Sequence, residues 1–106
     1  MRIRWSEAAA VDLEEIATYV AADSPLDAQK LVAKLKAKTD LLARMSERGR
    51  VVPELAHFAI RTWRELVVRP YRIIYRMEAG TVYVMGILDG RRDLRDVLLE
   101  RLLRTQ

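Results

Sequence analysis

In the first half of the chain, apolar residues recur at intervals of three and four positions, which is the period of a helix. The first such stripe follows Ser6, a suitable N-cap, and predicts a helix over Glu7–Ala22. The second follows Ser24 and Pro25, which favour the cap and the first position of a helix, and predicts a helix that ends near Ser46. The join between the two is short, so we expect an antiparallel helical hairpin.

Elsewhere the pattern alternates between apolar and polar residues, which is the period of a strand. A short strand is predicted at the start, over Arg2–Trp5, and another over Trp63–Arg69. The run Tyr71–Glu78 has period two, with apolar side chains at every second position from Tyr71 to Met77 on one face and Arg72, Ile74, Arg76 and Glu78 on the other. The run Thr81–Leu88 is so rich in apolar and β-branched residues that it predicts a buried strand. Gly86 within that last run indicates a bulge or a close backbone approach.

The segment Gly49–Ile60 has no clear period and holds the single histidine, His57. One histidine without a second candidate ligand favours a structural or merely exposed role over metal binding or catalysis. After the last strand, Asp93 can cap a helix that is apolar over more than one stripe. Such a wide apolar surface needs cover, either from the chain's own sheet or from a partner.

The predicted order of elements is therefore β-α-α-β-β-β-α over a single domain, residues 1–106. Because helices and strands are segregated along the chain, the fold class is α+β. We expect an antiparallel sheet packed against the N-terminal helical hairpin, with a C-terminal helix.

The amino-acid composition indicates the compartment and the kind of partner to expect for this domain. The chain has no cysteine, no apolar run of membrane-spanning length and no signal-peptide pattern, so we expect a soluble cytoplasmic protein. Its net charge of +4 favours an anionic partner such as nucleic acid, the ribosome or an acidic protein surface. From Arg61 onward all basic residues are arginines, which can make paired hydrogen bonds to phosphate or carboxylate groups.

Five of these arginines define the candidate chemistry of the second half. Arg72 and Arg76 are four positions apart on one predicted strand, so they share a face, and Arg91 and Arg92 could converge on it. Such a cluster suits a phosphate or an acidic peptide. The alternative is a row of charges that deters association between sheet edges, and we favour that role for Arg69 and Arg76. For Arg72, in the middle of the sheet, we favour recognition.

Signatures of catalysis are missing from the sequence. It contains no glycine-rich phosphate loop, no nucleophile elbow and no zinc-protease motif. We therefore predict neither a metal site nor a cofactor, and we find no general base. The carboxylates of the first helix are most simply interpreted as a solvated face that favours the helix dipole; they are Glu7, Asp12, Glu14 and Glu15.

Several segments, in their order and spacing, resemble the ParE/RelE superfamily of toxins from type II toxin–antitoxin systems. They are Trp5–Ala9 with Asp12-Leu13, Glu47–Glu54, Arg64–Leu66, Pro70–Arg76 and Gly90–Asp93. The resemblance covers nearly the whole chain and is closer to ParE than to RelE. It implies the same order of helices and strands that the periodicity predicts.

Two activities are known in this superfamily. RelE-like members cleave mRNA on the ribosome, whereas ParE-like members inhibit DNA gyrase by binding it. The resemblance places Arg72 and Arg92 on two arginines of the nuclease site. It also places Leu98 where nucleases often carry a tyrosine, and Asp89 where many relatives carry a histidine. No lysine lies between Gly49 and Trp63, where nucleases have them. These departures weigh against RNA cleavage by general acid–base catalysis.

The resemblance therefore implies a toxin that inhibits gyrase without being an enzyme and forms a hetero-oligomer with a ParD-like or similar antitoxin. For the target, we expect contacts from Arg64, Arg72, Arg76, Arg91 and Arg92. For the antitoxin, we expect contacts from Leu98, Leu99, Leu102 and Leu103. Two alternatives remain open: a RelE-like mRNA endonuclease that holds phosphate with Arg72 and Arg92, and an inactive binding module that persists only in complex with its antitoxin.

Overall fold

The computed structural model describes residues 1–104. Its elements are β1 (Arg2–Trp5), α1 (Glu7–Ala21), α2 (Pro25–Asp40), a 3-10 turn (Leu41–Ala43), β2 (Arg50–Val51), α3 (Pro53–Ala56), β3 (Arg64–Val68), β4 (Tyr71–Glu78), β5 (Thr81–Asp89) and α4 (Arg95–Arg104). Among these residues, no helix combines the length and the apolar character that crossing a membrane requires.

The strands form one five-stranded sheet in the order β1-β5-β4-β3-β2. The predicted α+β class is confirmed, and the pairs formed by β2 to β5 are antiparallel as expected. The edge strand β1 differs, because it runs parallel to β5, with Arg2 opposite Thr81 and Trp5 opposite Val84. Alternation of apolar residues reveals which face a strand buries but not the direction in which it pairs, so the sequence could not show this.

The two predicted helix starts are confirmed by their caps. The Ser6 hydroxyl accepts a hydrogen bond from the backbone N–H of Ala9 at 3.0 Å, and the Ser24 hydroxyl accepts one from Asp27 at 3.2 Å. The end of the second helix was predicted too late, because α2 stops at Asp40 and the chain tightens into the 3-10 turn. Leu42 within this turn is fully buried, so the apolar pattern continues although the helix type changes.

The segment without a period contains two short elements, β2 and α3. Two residues of strand and four of helix are each too short for the pattern to repeat, so periodicity could not predict them. The proline at the start of α3, Pro53, is the local signal for that helix. His57 lies at its end, exposed, with its ring edge against Phe58.

The sheet has a rear face and a front face, each covered by helices. The rear face packs against the hairpin of α1 and α2 through a core that includes Ala9, Leu35, Ile73, Val84 and Ile87. The front face packs against α3 and α4 through a core that includes Val52, Leu55, Ile74, Met85 and Leu98. Alternate residues of β4 therefore reach opposite cores, as the period of two predicts.

A bulge interrupts the pairing of β4 with β5. Ile74 lies opposite Gly86 while its neighbour Tyr75 lies opposite Val84, so Met85 has no partner in the register. The irregularity predicted at Gly86 is thus confirmed. A Cβ atom at Gly86 would lie 2.8 Å from a guanidinium nitrogen of Arg101, so glycine lets this side chain approach the strand closely.

Candidate functional site

Arg72, the arginine that the sequence favoured for recognition, lies on the front face in the middle of the sheet and is almost fully buried. Its Nε donates to Glu65 Oε1 at 2.7 Å. Its two terminal nitrogens donate to the two carboxylate oxygens of Glu54 at 2.5 and 2.7 Å, and one of them also contacts Glu65. The guanidinium is therefore shared between two internal carboxylates, and its hydrogen-bonding edges face the protein.

The fold brings these two carboxylates together from separate elements. Glu65 lies on β3 opposite Ile74, so it shares the front face with Arg72, and its side chain is 0% exposed. Its second oxygen accepts from Arg50 Nε at 2.7 Å. Glu54 is in the first turn of α3, where the helix dipole favours a negative charge. Two arginines and two carboxylates thus form a neutral network, with Glu65 at its centre.

A glycine makes room for the stem of Arg72. A Cβ atom at Gly90 would lie 2.8 Å from Cδ of Arg72 and 3.1 Å from the carbonyl oxygen of Pro70. Gly90 belongs to one of the segments that carry the family resemblance, and this close approach is a physical reason for a glycine there.

The network makes the stability of the fold depend on pH. The hydrogen bonds from Arg72 hold the pKa of the Glu54 carboxyl below its ordinary value of 4.5. A group whose pKa is lower in the folded state stabilises the fold above its unfolded pKa and loses that stabilisation as the pH falls through its folded pKa. We expect the free energy of unfolding, measured with urea, to fall as the pH drops below 4.5. In Glu54→Gln, the free energy of unfolding should fall less steeply with decreasing pH than in the wild type. An equally steep fall in both proteins would show that Glu54 contributes nothing to acid unfolding.

The other predicted target arginines converge with Arg72 only in part. Arg64 donates to the backbone oxygen of Gly49 at 2.8 Å. Arg91 is exposed and pairs with Asp89 at 2.7 Å. It lines a groove of about 470 Å³ together with Arg72. Arg92 is exposed and makes no salt bridge within residues 1–104. The front face therefore presents a groove that contains only part of the predicted set.

Arg76 lies in a second, separate groove on the front face. Its guanidinium carbon is 4.6 Å from the centroid of the Tyr83 ring and 5.6 Å from that of Trp63. It also pairs with Glu78, two residues further along the same strand. Arg72 and Arg76 share a face, as predicted, but Ile74 between them lies in the front core and separates the two grooves.

The leucines predicted to contact the antitoxin have mixed positions on α4. Leu98 is 0% exposed and belongs to the front core. Leu99 and Leu102 are partly buried against that same core, whereas Leu103 is 76% exposed. In this structure α4 therefore docks on its own sheet, and Leu103 is the most exposed leucine of this set.

One buried ion pair was missed by the sequence reasoning. Asp12, interpreted above as part of a solvated face, is buried and pairs with Arg101 through two hydrogen bonds of 2.7 and 2.8 Å. It also accepts from the backbone N–H of Ile87 at 3.0 Å. The sequence did indicate that Asp12 is buried, because it lies three residues after Ala9 and so belongs to the buried stripe of α1.

The fold, with a helical hairpin on one face of the sheet and a short C-terminal helix on the other, is of the RelE/ParE-like α+β class. The model of the family described as "ParE toxin of type II toxin-antitoxin system, parDE" matches residues 3–94. The chain belongs to this ParE toxin family.

Individual relatives agree with this assignment. Toxin RelE2 of Caulobacter vibrioides is 38% identical over 92 residues, which cover 86% of this chain and 97% of that protein. Protein Y4kP of Sinorhizobium fredii is 37% identical over 99 residues, or 92% of this chain and 96% of its own length. A solved structure titled "Chromosomal ParDE TA system from P. aeruginosa" superposes with a TM-score of 0.67 at 23% identity, covering 84% of this chain and 95% of that one. At that identity the superposition supports the fold.

Proposed function

We propose that this toxin inhibits DNA gyrase by binding it, without an active site of its own, and that a cognate antitoxin neutralises it by forming a hetero-oligomer. The toxin role follows from the family. The observation that carries the binding mechanism is the state of Arg72. Both carboxylates on its guanidinium come from the protein itself, so it has no free edge with which to stabilise the charge of a reacting phosphate.

The positions that correspond to proton-transferring groups in the nucleases support the same proposal. Leu98, at the tyrosine position, has no proton to exchange and is enclosed in the front core. Asp89 stands where many relatives carry a histidine, and hydrogen bonds from Arg91 lower its pKa to about 2. A carboxylate that stays ionised at neutral pH is a poor general acid there. This chemistry favours binding over RNA cleavage.

The test is a direct assay with purified toxin and DNA gyrase. We expect the toxin to slow supercoiling and to accumulate cleaved DNA. Arg92→Ala should reduce that inhibition by about tenfold or more, since a charge-assisted hydrogen bond from this exposed arginine to the target contributes ~1.5–3 kcal/mol. Lys30→Ala, which changes an exposed charge on α2, is the matched control and should inhibit like the wild type. No inhibition by soluble, folded toxin would contradict the proposal.

The name of the relative Toxin RelE2 makes mRNA cleavage the second candidate to examine. A translating extract supplied with the toxin should show intact mRNA if the proposal holds. Cleavage that disappears in Arg92→Ala would instead establish the nuclease. Arg92 is a better variant for this purpose than Arg72, because Arg72→Ala also breaks a buried ion network. Induced expression that leaves growth unaffected, with folded toxin present, would favour an inactive binding module.

A further inference from the structure

A row of alternating cations and aromatic rings crosses the front face of the sheet near the end of α4. In the strand register, Arg4 of β1 lies opposite Tyr83 of β5, and Tyr83 lies opposite Arg76 of β4. Directly opposed residues share a face, so these three side chains are neighbours. Trp63 continues the row beyond Arg76. We refer to Arg4, Tyr83, Arg76 and Trp63 as the cation–aromatic row.

The row lines an open groove of about 840 Å³, flanked by the start of α1 and the last turns of α4. Apolar surface comes from Trp5, Val11 and Met85, and polar groups are interspersed with it. Neighbouring strands are ~4.8 Å apart, so Arg4 and Arg76, two strands apart, start about 10 Å from each other. Two carboxylates of one peptide segment can reach both guanidinium groups across that distance.

The two arginines of the row are available to an external partner. Arg4 is exposed and makes no salt bridge with any part of the chain that the structure describes. Within residues 1–104, the salt bridge of Arg76 is with Glu78, whose side chain is 59% exposed, and an exposed ion pair contributes little to stability. Exchanging Glu78 for an incoming carboxylate therefore costs little. Arg72 differs, because its partner Glu65 is fully buried and cannot be released to water.

The remaining chemistry of the groove favours an acidic peptide over nucleic acid. Bases bind such surfaces by stacking on free aromatic rings. Here Arg76 already occupies the face of Tyr83, and Trp63 is only 7% exposed. Glu7 and Glu15 also line the groove, where they would repel a continuous phosphate backbone. A peptide with separated carboxylates and apolar residues between them avoids both obstacles.

We infer that the cation–aromatic row is a docking site for an extended acidic segment of the antitoxin, with carboxylates paired to Arg4 and Arg76. The inference rests on the proposed function, since it assigns a place to the antitoxin. The flat Arg76 guanidinium, fixed between two rings, is already oriented and loses little freedom when it pairs with a carboxylate.

The experiment measures the affinity of the toxin for the protein encoded by the reading frame that adjoins the toxin gene. The double variant Arg4→Gln/Arg76→Gln should bind it about tenfold more weakly or worse, because two solvent-exposed ion pairs of about threefold each are lost. Arg48→Gln, beside β2 at the opposite edge of the sheet, is the matched control and should bind like the wild type. Thermal melting checks that the variants are folded. If the double variant is unstable, Arg4→Gln alone suffices, with an expected loss of about threefold.

Other results of this experiment would overturn the docking site or assign the groove to a different partner. Equal affinity of the double variant and the wild type would overturn the docking site while leaving the toxin–antitoxin pairing intact. If the double variant binds a single-stranded oligonucleotide more weakly than the wild type but binds the antitoxin equally well, the groove is a nucleic-acid site. Loss of a toxin dimer in sedimentation would assign it to a second copy of the chain. A wild-type toxin that fails to bind the adjoining protein would contradict the proposed antitoxin itself.

Discussion

Replacing Arg72 with alanine is expected to lower the free energy of unfolding by about 3–5 kcal/mol, as is typical when one partner of a buried ion pair is removed. The reason is the position of Glu65, whose side chain is 0% exposed and would keep a charge inside the protein with only Arg50 to compensate it. Urea unfolding of the two proteins at neutral pH measures the difference. A domain of this size has a net stability of only ~5–15 kcal/mol, so the loss is a large fraction of the total.

Two control variants separate this charge effect from a general loss of packing. Arg91→Ala removes an exposed guanidinium that pairs with a surface carboxylate, and it should leave the free energy of unfolding nearly unchanged. The double variant Arg72→Met/Glu65→Leu replaces the buried pair with apolar side chains of similar size. It should recover most of the stability, because Glu54 and Arg50 can both turn toward water. A loss below 1 kcal/mol in Arg72→Ala would show that the network contributes nothing.

Replacing Asp12 with alanine should lower the free energy of unfolding by about 2–4 kcal/mol, slightly less than for Arg72 because the Arg101 side chain is partly solvated. The change also leaves the backbone N–H of Ile87 without its acceptor beside the bulge. Because Asp12 is on α1 and Arg101 on α4, their pairing joins the first and last helices across β5. We therefore expect hydrogen exchange in α4 to accelerate more than in β4.

Asp12→Asn is the matched control for that prediction. The amide oxygen can still accept from Ile87, while the charge opposite Arg101 is lost, so this variant should retain part of the stability. If α4 exchanges at the wild-type rate in Asp12→Ala, the ion pair does not hold the helix to the body of the protein.

The fold was largely predictable because each long element carries its own period. The caps at Ser6 and Ser24 and the alternation along β4 are local signals, and the structure confirms each of them. The direction of β1 was not predictable, because nothing local distinguishes a parallel neighbour from an antiparallel one. The elements β2 and α3 are shorter than one repeat of the pattern that would reveal them.

The candidate site was predictable only in part. The central position of Arg72 follows from its place in the alternating run, but its partners come from two other elements. The sequence did not single out Glu65 or Glu54, because only the strand register and the position of α3 bring them to Arg72. Asp12 could have been recognised from its place in the apolar stripe of α1. Periodicity identifies the buried face of an element, whereas charge pairing between distant elements depends on the assembled fold.

The parallel pairing of β1 with β5 determines when the sheet can form during synthesis. Residues 2–5 leave the ribosome well before their strand partner, residues 81–84. During synthesis the sheet therefore cannot be completed until β5 has emerged. The groove that contains Arg4 also needs Tyr83 of β5, so it cannot form on a shorter nascent chain.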